Sequence, residues 1–205
     1  MRRSSSAQAA PQPPSTRERL VRETAALLER RGYQATGIKD IVRAAGVTTS
    51  SLYHHFPRGK EELAASALVH AGERFADLLR TALARGADAP DAIAACADDL
   101  AADLASTGWA EGCPVAVTAL ESVNDAPLLR VTCARILQEW QDLIATRLQS
   151  AGIGSRTAAE LACMVLSGLE GAELLSRVAA DPTPLHTTGR HLARLVAAEI
   201  AADLR

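Results

Sequence analysis

The chain has 205 residues, 48% of them hydrophobic but only 3% aromatic, with a formal net charge of −2. That is enough apolar material for a real, mainly aliphatic core, in one domain or in a small module joined to a larger one. No run approaches the roughly 18 apolar residues of a membrane span, and no apolar stretch follows Arg2 and Arg3, so a membrane partner and a secretory signal are excluded and a cytoplasmic protein is expected.

Residues 1–14 are rich in Ser, Ala, Gln and Pro and read as a disordered arm. Apolar positions then recur at helical spacing almost everywhere, without period-two runs, so an all-α chain of about nine helices is expected. The first spans about Ser15 to Arg31, with Ser15 and Glu18 spaced as a capping box and Gly32 as its stop. Two short helices follow, about Ile38 to Ala45 and Thr49 to Phe56, broken by Gly46 and closed by Pro57. A long fourth helix runs from about Lys60 to Arg85. The fifth has Pro90 in its first turn and reaches about Ser106. The sixth and seventh cover about Pro114 to Val123 and Ala126 to Ser150. The eighth covers about Arg156 to Ala180, and Asp181-Pro182-Thr183-Pro184 separates it from a ninth over about Leu185 to Leu204.

The charge is divided unevenly along this chain. Residues 1–60 carry eleven Lys or Arg against four acids, and residues 61–205 carry eleven against twenty. A basic head on an acidic body is the electrostatic footprint of a DNA-binding module joined to something else. Three units are therefore expected: the arm over 1–14, a DNA-binding head over 15–60, and a body over 61–205. The two short helices have helix-turn-helix spacing. Val47, Leu52 and Phe56 form the apolar side of the second, which leaves Thr48, Thr49, Ser50, Tyr53, His54 and His55 on the other. These are hydrogen-bonding groups of a size that reaches phosphates and base edges. Tyr53 and His55 have an alternative reading as packing residues of the small domain, which weighs more for His55 than for Tyr53.

Four cysteines, Cys96, Cys113, Cys133 and Cys163, have no metal-ligand spacing and read as small apolar core residues. No metal and no cofactor are expected. His54 and His55 are adjacent on a helix, point about 100° apart and do not chelate together. Nucleophile and phosphate-loop motifs are missing, so an enzyme is not expected. A purely structural helical adaptor would need neither the basic head nor the polar recognition helix.

Gly32-Tyr33-Gln34-Ala35-Thr36-Gly37-Ile38-Lys39-Asp40-Ile41, Ala45-Gly46-Val47, Leu52-Tyr53-His54-His55-Phe56-Pro57 and Lys60-Glu61-Glu62-Leu63 resemble the signature of the TetR family of repressors. Many members have one residue between that Pro and that Lys; here Arg58 and Gly59 both intervene. This insertion and Glu111-Gly112-Cys113-Pro114-Val115-Ala116 are similar to the LmrA/YxaF-like subgroup. The resemblance implies a repressor that binds an inverted-repeat operator in double-stranded DNA as a homodimer and is released by a small-molecule effector. It implies that Thr36, beside Gly37, caps the second helix and contacts phosphate. Thr48, Thr49 and Ser50 would open the recognition helix, with Thr49 and Ser50 nearest the bases. Tyr53 and His54 would contact phosphate or a thymine methyl, and Lys60 would bind phosphate.

Family members dimerise through their last two long helices. Small residues between leucines suit close approach there, with Leu161, Gly168, Leu169, Gly171, Leu192 and Leu195 as candidate interface positions. The effector pocket of the family lies among the middle helices. Its candidate lining is Phe75, Leu79, Trp109, Leu120, Asn124, Leu137, Trp140 and Met164, each also readable as ordinary core. This aliphatic lining predicts a mainly apolar effector, uncharged or weakly polar. Glu121, within an apolar helix, reads as a buried polar anchor or as a surface acid.

Overall fold

The computed structural model describes residues 13–122 and 125–203. Among these residues the chain is helical throughout, with α1 (Thr16–Arg31), α2 (Ile38–Ala45), α3 (Thr49–His55), α4 (Lys60–Arg85), α5 (Ala89–Ser106), α6 (Pro114–Ser122), α7 (Pro127–Ser150), α8 (Ser155–Ala179) and α9 (Thr183–Asp203). The expected helix ends at Val123 and Leu204, the candidate Asn124, and nearly all of the 1–14 arm lie outside the described residues.

The ends of the helices follow local chemistry. The Ser15 amide donates to Glu18 Oε2 (2.7 Å) and the Glu18 amide donates to Ser15 Oγ (3.2 Å), the reciprocal pair that starts α1. Thr48 caps α3 by accepting the Ser51 amide on its hydroxyl (3.1 Å). α9 begins two residues before the expected Leu185. The Thr183 amide donates to Asp181 Oδ1 (2.7 Å), and Pro184 sits in the first turn, where its missing N–H needs no partner.

Two apolar cores are present. Leu20, Ile41, Ala45, Leu52, Phe56 and Leu63 form the head core, which holds α1, α2, α3 and the first turn of α4 together. The body core starts at Ala25 and Leu28 on α1 and at Ala64 on α4, and continues through α5 to α9. The first and fourth helices thus run through both cores, rather than meeting at a boundary near residue 60. In the body α4 packs on α5 and α7, α5 on α9, and α8 on α7 and α9.

The packing of α8 and α9 changes the expected roles of several residues. Leu161, Leu169 and Leu192 are buried within their own protomer. A Cβ built at Gly168 would lie 3.2 Å from Leu192 Cδ1 and 3.3 Å from Thr188 Cγ2. The small residue here lets α8 approach its own α9. Leu195 is half-buried, and Gly171 is exposed. The solvent-facing apolar side of α8 is instead Met164, Gly171, Leu174, Leu175 and Val178. Steps of seven residues from Met164 to Gly171 and of three to four from Gly171 to Leu174 and Leu175 and on to Val178 place them on one stripe.

Among the described residues no helix is long and apolar enough to cross a membrane, and no cluster of His, Cys, Asp or Glu could hold a metal ion. The cysteines are free: Cys96 and Cys133 are buried, Cys113 is half-buried, and Cys163 is exposed rather than in the core.

Candidate functional site

The recognition unit is built around one turn. Gly46 adopts φ 62° and ψ 40°, a left-handed conformation that only glycine enters without steric cost, and its amide returns to the carbonyls of Arg43 and Val42. The Val47 amide also donates to the Val42 carbonyl (3.0 Å). Leu52 and Phe56 are sealed into the head core, which fixes the rotation of α3. Thr48, Thr49, Ser50, Tyr53 and His54 are consequently exposed, Tyr53 at 47%. His55 is half-buried at the edge of the head. The cations Lys39, Arg43 and Arg58 are also exposed on the head, with Arg43 paired to Asp40.

Thr36 departs from the role expected of it, and Lys60 has a second contact beside its expected one. Thr36 is 1% exposed, and its hydroxyl donates to the Gly32 carbonyl (2.7 Å). Gly37, not Thr36, stands at the N-cap of α2, and no side chain caps that helix. The Thr36 hydroxyl therefore holds the α1–α2 turn and has no free face for phosphate. Lys60 opens α4 but is half-buried, with Nζ 4.0 Å from the centre of the Tyr33 ring. Burial pushes its ammonium below the ordinary lysine range, while the nearby Glu121 carboxylate opposes that shift.

Glu121 joins the head to the body. From α6 its Oε2 accepts the amides of Tyr33 (2.6 Å) and Gln34 (3.1 Å) in the α1–α2 turn. Gly32 makes room for it: a Cβ there would stand 2.6 Å from Glu121 Oε1. Of the two readings open for Glu121, the structure has the polar anchor, half-buried rather than fully enclosed. Alongside it the Leu128 amide of α7 donates to Glu61 Oε1 on α4 (3.2 Å), and Arg74 of α4 pairs with Glu29 of α1 (3.0 Å).

The body holds a partly open cavity of about 120 Å³ between α1, α4, α5, α7, α8 and the segment that leads into α6. Of the candidate pocket residues, Phe75 and Trp140 lie on its wall with ring centres 4.2 Å apart. Trp140 Nε1 donates to the Gly72 carbonyl (3.1 Å), which fixes the indole plane. The other candidates are elsewhere. Leu79 is fully buried in the core, and Trp109 and Leu137 are half-buried against it, none of them on the wall. Leu120 is 83% exposed and Met164 56% exposed, because each occupies the solvent side of its helix.

Sequence reasoning missed the polar half of the cavity: Glu29, Asp103, Glu111 and Glu173. Glu173 is buried, and its Oε1 accepts the Cys113 amide (2.7 Å). Burial first, and then the neighbouring Glu170 carboxylate, push its carboxyl up to about 7. Burial, with Glu170 and Glu173 alongside, raises the Cys113 thiol well above its ordinary range, which opposes thiolate chemistry there. The available signal was a pair of acids three apart, Glu170 and Glu173, inside the otherwise apolar run from Leu169 to Leu175.

Comparison with known proteins agrees with this arrangement of head and body. Residues 20–67 match the family of bacterial regulatory proteins, tetR family. Residues 89–191 match the transcriptional regulator LmrA/YxaF-like C-terminal domain. The chain belongs to the TetR family, with an LmrA/YxaF-like C-terminal domain. It is 37% identical over 190 residues to the HTH-type transcriptional regulator Rv0196 of Mycobacterium tuberculosis, covering 90% of this chain and 95% of that one. It is 31% identical to the HTH-type transcriptional regulator LmrA of Bacillus subtilis, over 83% of this chain and 90% of the relative. A crystal structure of a TetR transcriptional regulator from Chloroflexus aurantiacus superposes with a TM-score of 0.74 at 33% identity, over 89% of this chain and 94% of the other. This TetR-family chain is thus a DNA-binding transcriptional regulator, and its relatives are regulators rather than enzymes.

Proposed function

We propose that this regulator is a homodimeric repressor that grips an inverted-repeat operator with two copies of α3 and releases it when a small effector fills the body cavity. The observation that carries the reading is the exposed polar end of α3 on a head whose core fixes its rotation. Thr49 and Ser50, at the helix N-terminus, contact base edges and set sequence choice, while Thr48 lies beside the backbone. Tyr53 and His54 contact phosphate or a thymine methyl. Lys60 and the amides beside Gly37 contact phosphate, in sequence-independent positions.

The dimer forms through α8 and α9. On α8 the contact surface is Met164, Gly171, Leu174, Leu175 and Val178, the apolar stripe that one protomer leaves exposed. A two-fold dimer places its recognition helices about one helical turn apart on DNA, roughly 34–36 Å or somewhat more. Effector binding changes that spacing through α4, which runs from the head core past Phe75 to Arg85. The ligand must favour the DNA-incompetent spacing, since equal binding to both shifts nothing.

The test has two arms. Operator is selected from a random duplex pool and its affinity measured by fluorescence anisotropy. Thr49→Ala and Ser50→Ala are expected to change which bases are preferred; unchanged selection in both would remove α3 as the reader. Sedimentation of Leu175→Glu and Val178→Glu is expected to show monomers. Dimers in both would place the interface elsewhere. Gly168→Arg and Leu192→Glu are poorer probes, because both disturb the contact of α8 with its own α9.

A further inference from the structure

The body cavity has two unlike halves. One is apolar, with Phe75, Leu78, Leu100, Leu104 and Trp140. The other carries four carboxyl groups, Glu29, Asp103, Glu111 and Glu173, each from a different element. Arg74 also lines it and is engaged by Glu29 at 3.0 Å. Glu111 is held by Arg30, also at 3.0 Å. Asp103 and Glu173 have no such partner: among the described residues no Lys or Arg nitrogen lies within 4 Å of either carboxylate.

Glu173 is the sharper anomaly. It is only 8% exposed and stands on the cavity wall, and its one hydrogen bond is the Cys113 amide on Oε1. One turn earlier on α8, Glu170 keeps Oε1 buried with no hydrogen-bond partner. A buried carboxylate is stable only when paired or protonated. Holding the Cys113 amide needs a single acceptor oxygen, which a glutamine would supply without charge. The fold instead puts an acid with no ion pair within 4 Å, and only Arg177 acting on it from farther off, beside an open volume and two aromatic rings.

We propose that the cavity takes an organic cation: a protonated amine on a flat apolar group, with the ammonium against Glu173 and Asp103 and the ring against Phe75 and Trp140. This rests on reading the cavity as the effector site and names the chemical class of that effector. It replaces the uncharged effector expected from the aliphatic sequence pattern. An ammonium supplies the missing charge and donors together, and the aromatic faces favour a cation as well as an apolar ring. The volume sets how the ligand enters. A cavity of roughly 150 Å³ holds a benzene ring, so about 120 Å³ takes a short chain as it stands, and a ring carrying an ammonium enters by moving the walls. Those walls include Glu29 of α1 and Gly112, whose amide donates to the Glu29 carbonyl at 3.3 Å. A ligand that spreads this corner acts directly on the first helix of the head.

The test uses the intact chain and three isosteric probes: 2-phenylethylammonium, 2-phenylethanol and phenylacetate. Both tryptophans of the chain, Trp109 and Trp140, belong to the body, so their fluorescence reports binding. Near pH 8 the ammonium is expected to bind at least about tenfold more tightly than the alcohol, and phenylacetate more weakly than either. Glu173→Gln and Asp103→Asn are each expected to bring the ammonium-to-alcohol ratio towards one. Equal binding of ammonium and alcohol, saturable binding of none of the probes, or a ratio that survives both substitutions would overturn the proposal. The unmodified chain alone can decide it if a variant fails to fold. Operator affinity, measured in parallel, separates this proposal from the effector reading. Charge-selective binding that leaves operator affinity unmoved keeps the cation site and removes its role as effector site. Release of operator by the alcohol as strongly as by the ammonium does the reverse.

Discussion

At the tip of the head, Thr49, Ser50, Tyr53 and His54 are exposed on a basic surface. In the body, Glu173 is a buried carboxyl group on a wall shared with aromatic and aliphatic side chains, and Glu170 is drawn from water one turn earlier. The first region keeps polar groups in water until a partner arrives and so loses little stability by having them. The second keeps charge out of water and loses stability until a proton or a cation arrives. Each region is also held by its own apolar core, and only α1 and α4 belong to both. The contrast teaches where function is cheap to build and where it strains the fold.

The largest expected effect comes from breaking one core alone. Phe56 is 1% exposed in the head core, so Phe56→Ala should destabilise the head by about 3–5 kcal/mol. Operator binding should be lost. Both tryptophans belong to the body, so their denaturation midpoint should fall much less than the far-ultraviolet circular dichroism midpoint. Equal shifts would show that the two cores melt as one unit.

Next is the pH dependence of the acidic cavity. The Glu173 carboxyl is held at about 7 when folded, above its unfolded value near 4.5. Below the unfolded value both states are protonated and there is no penalty. As pH rises from there to about 7 only the unfolded chain ionises, so stability falls; above that the penalty is complete. Its size is up to about 3 kcal/mol. Glu170 adds in the same direction, Arg177 opposes, and Asp103 and Cys113 complete the surroundings. Glu173→Gln should flatten urea-denaturation stability between pH 5 and 7, as a cation in the cavity should. A wild-type profile that is already flat would show that water reaches the carboxyl.

The head was legible in the sequence because its geometry is local. Gly46, the spacing of Ile41, Leu52 and Phe56, and the Ser15–Glu18 pair all act within a few residues. The acidic cavity was not legible, since Glu29, Asp103, Glu111 and Glu173 come from three helices and a loop far apart in the chain and meet only once these have packed. Periodicity also failed on α6. That helix has nine residues with apolar groups on several sides, so nothing in it marks Leu120 as outward and Val115 as inward. On α8 the small residues suggested one partner surface. The fold divides them, with Gly168 against its own α9 and Gly171 open to solvent.

A smaller effect tests the join between the two regions. Glu121→Ala removes the acceptor for the Tyr33 and Gln34 amides, a loss of about 1–3 kcal/mol for charge-assisted bonds. Effector affinity should hold, because Glu121 does not line the cavity. The factor by which effector weakens operator binding should shrink towards one, measured as operator affinity with and without saturating ligand. An unchanged factor would place the coupling in α4 alone.

The smallest effect separates charge from position at Lys60. Its ammonium lies over the Tyr33 ring, which holds it at the start of α4 beside the proposed phosphate. If the ammonium neutralises one phosphate per head, Lys60→Ala should flatten the plot of log affinity against log salt by about 0.9 for each head engaged, whatever the duplex sequence. Tyr33→Leu keeps the charge and removes the aromatic face, so affinity should fall by only about 0.5–1 kcal/mol while the slope stays. The two substitutions thus act on different observables of one contact. A slope unchanged in Lys60→Ala would mean that the ammonium serves the Tyr33 ring and the Glu121 carboxylate within the fold, and that phosphate at this end of α4 is held by backbone amides alone.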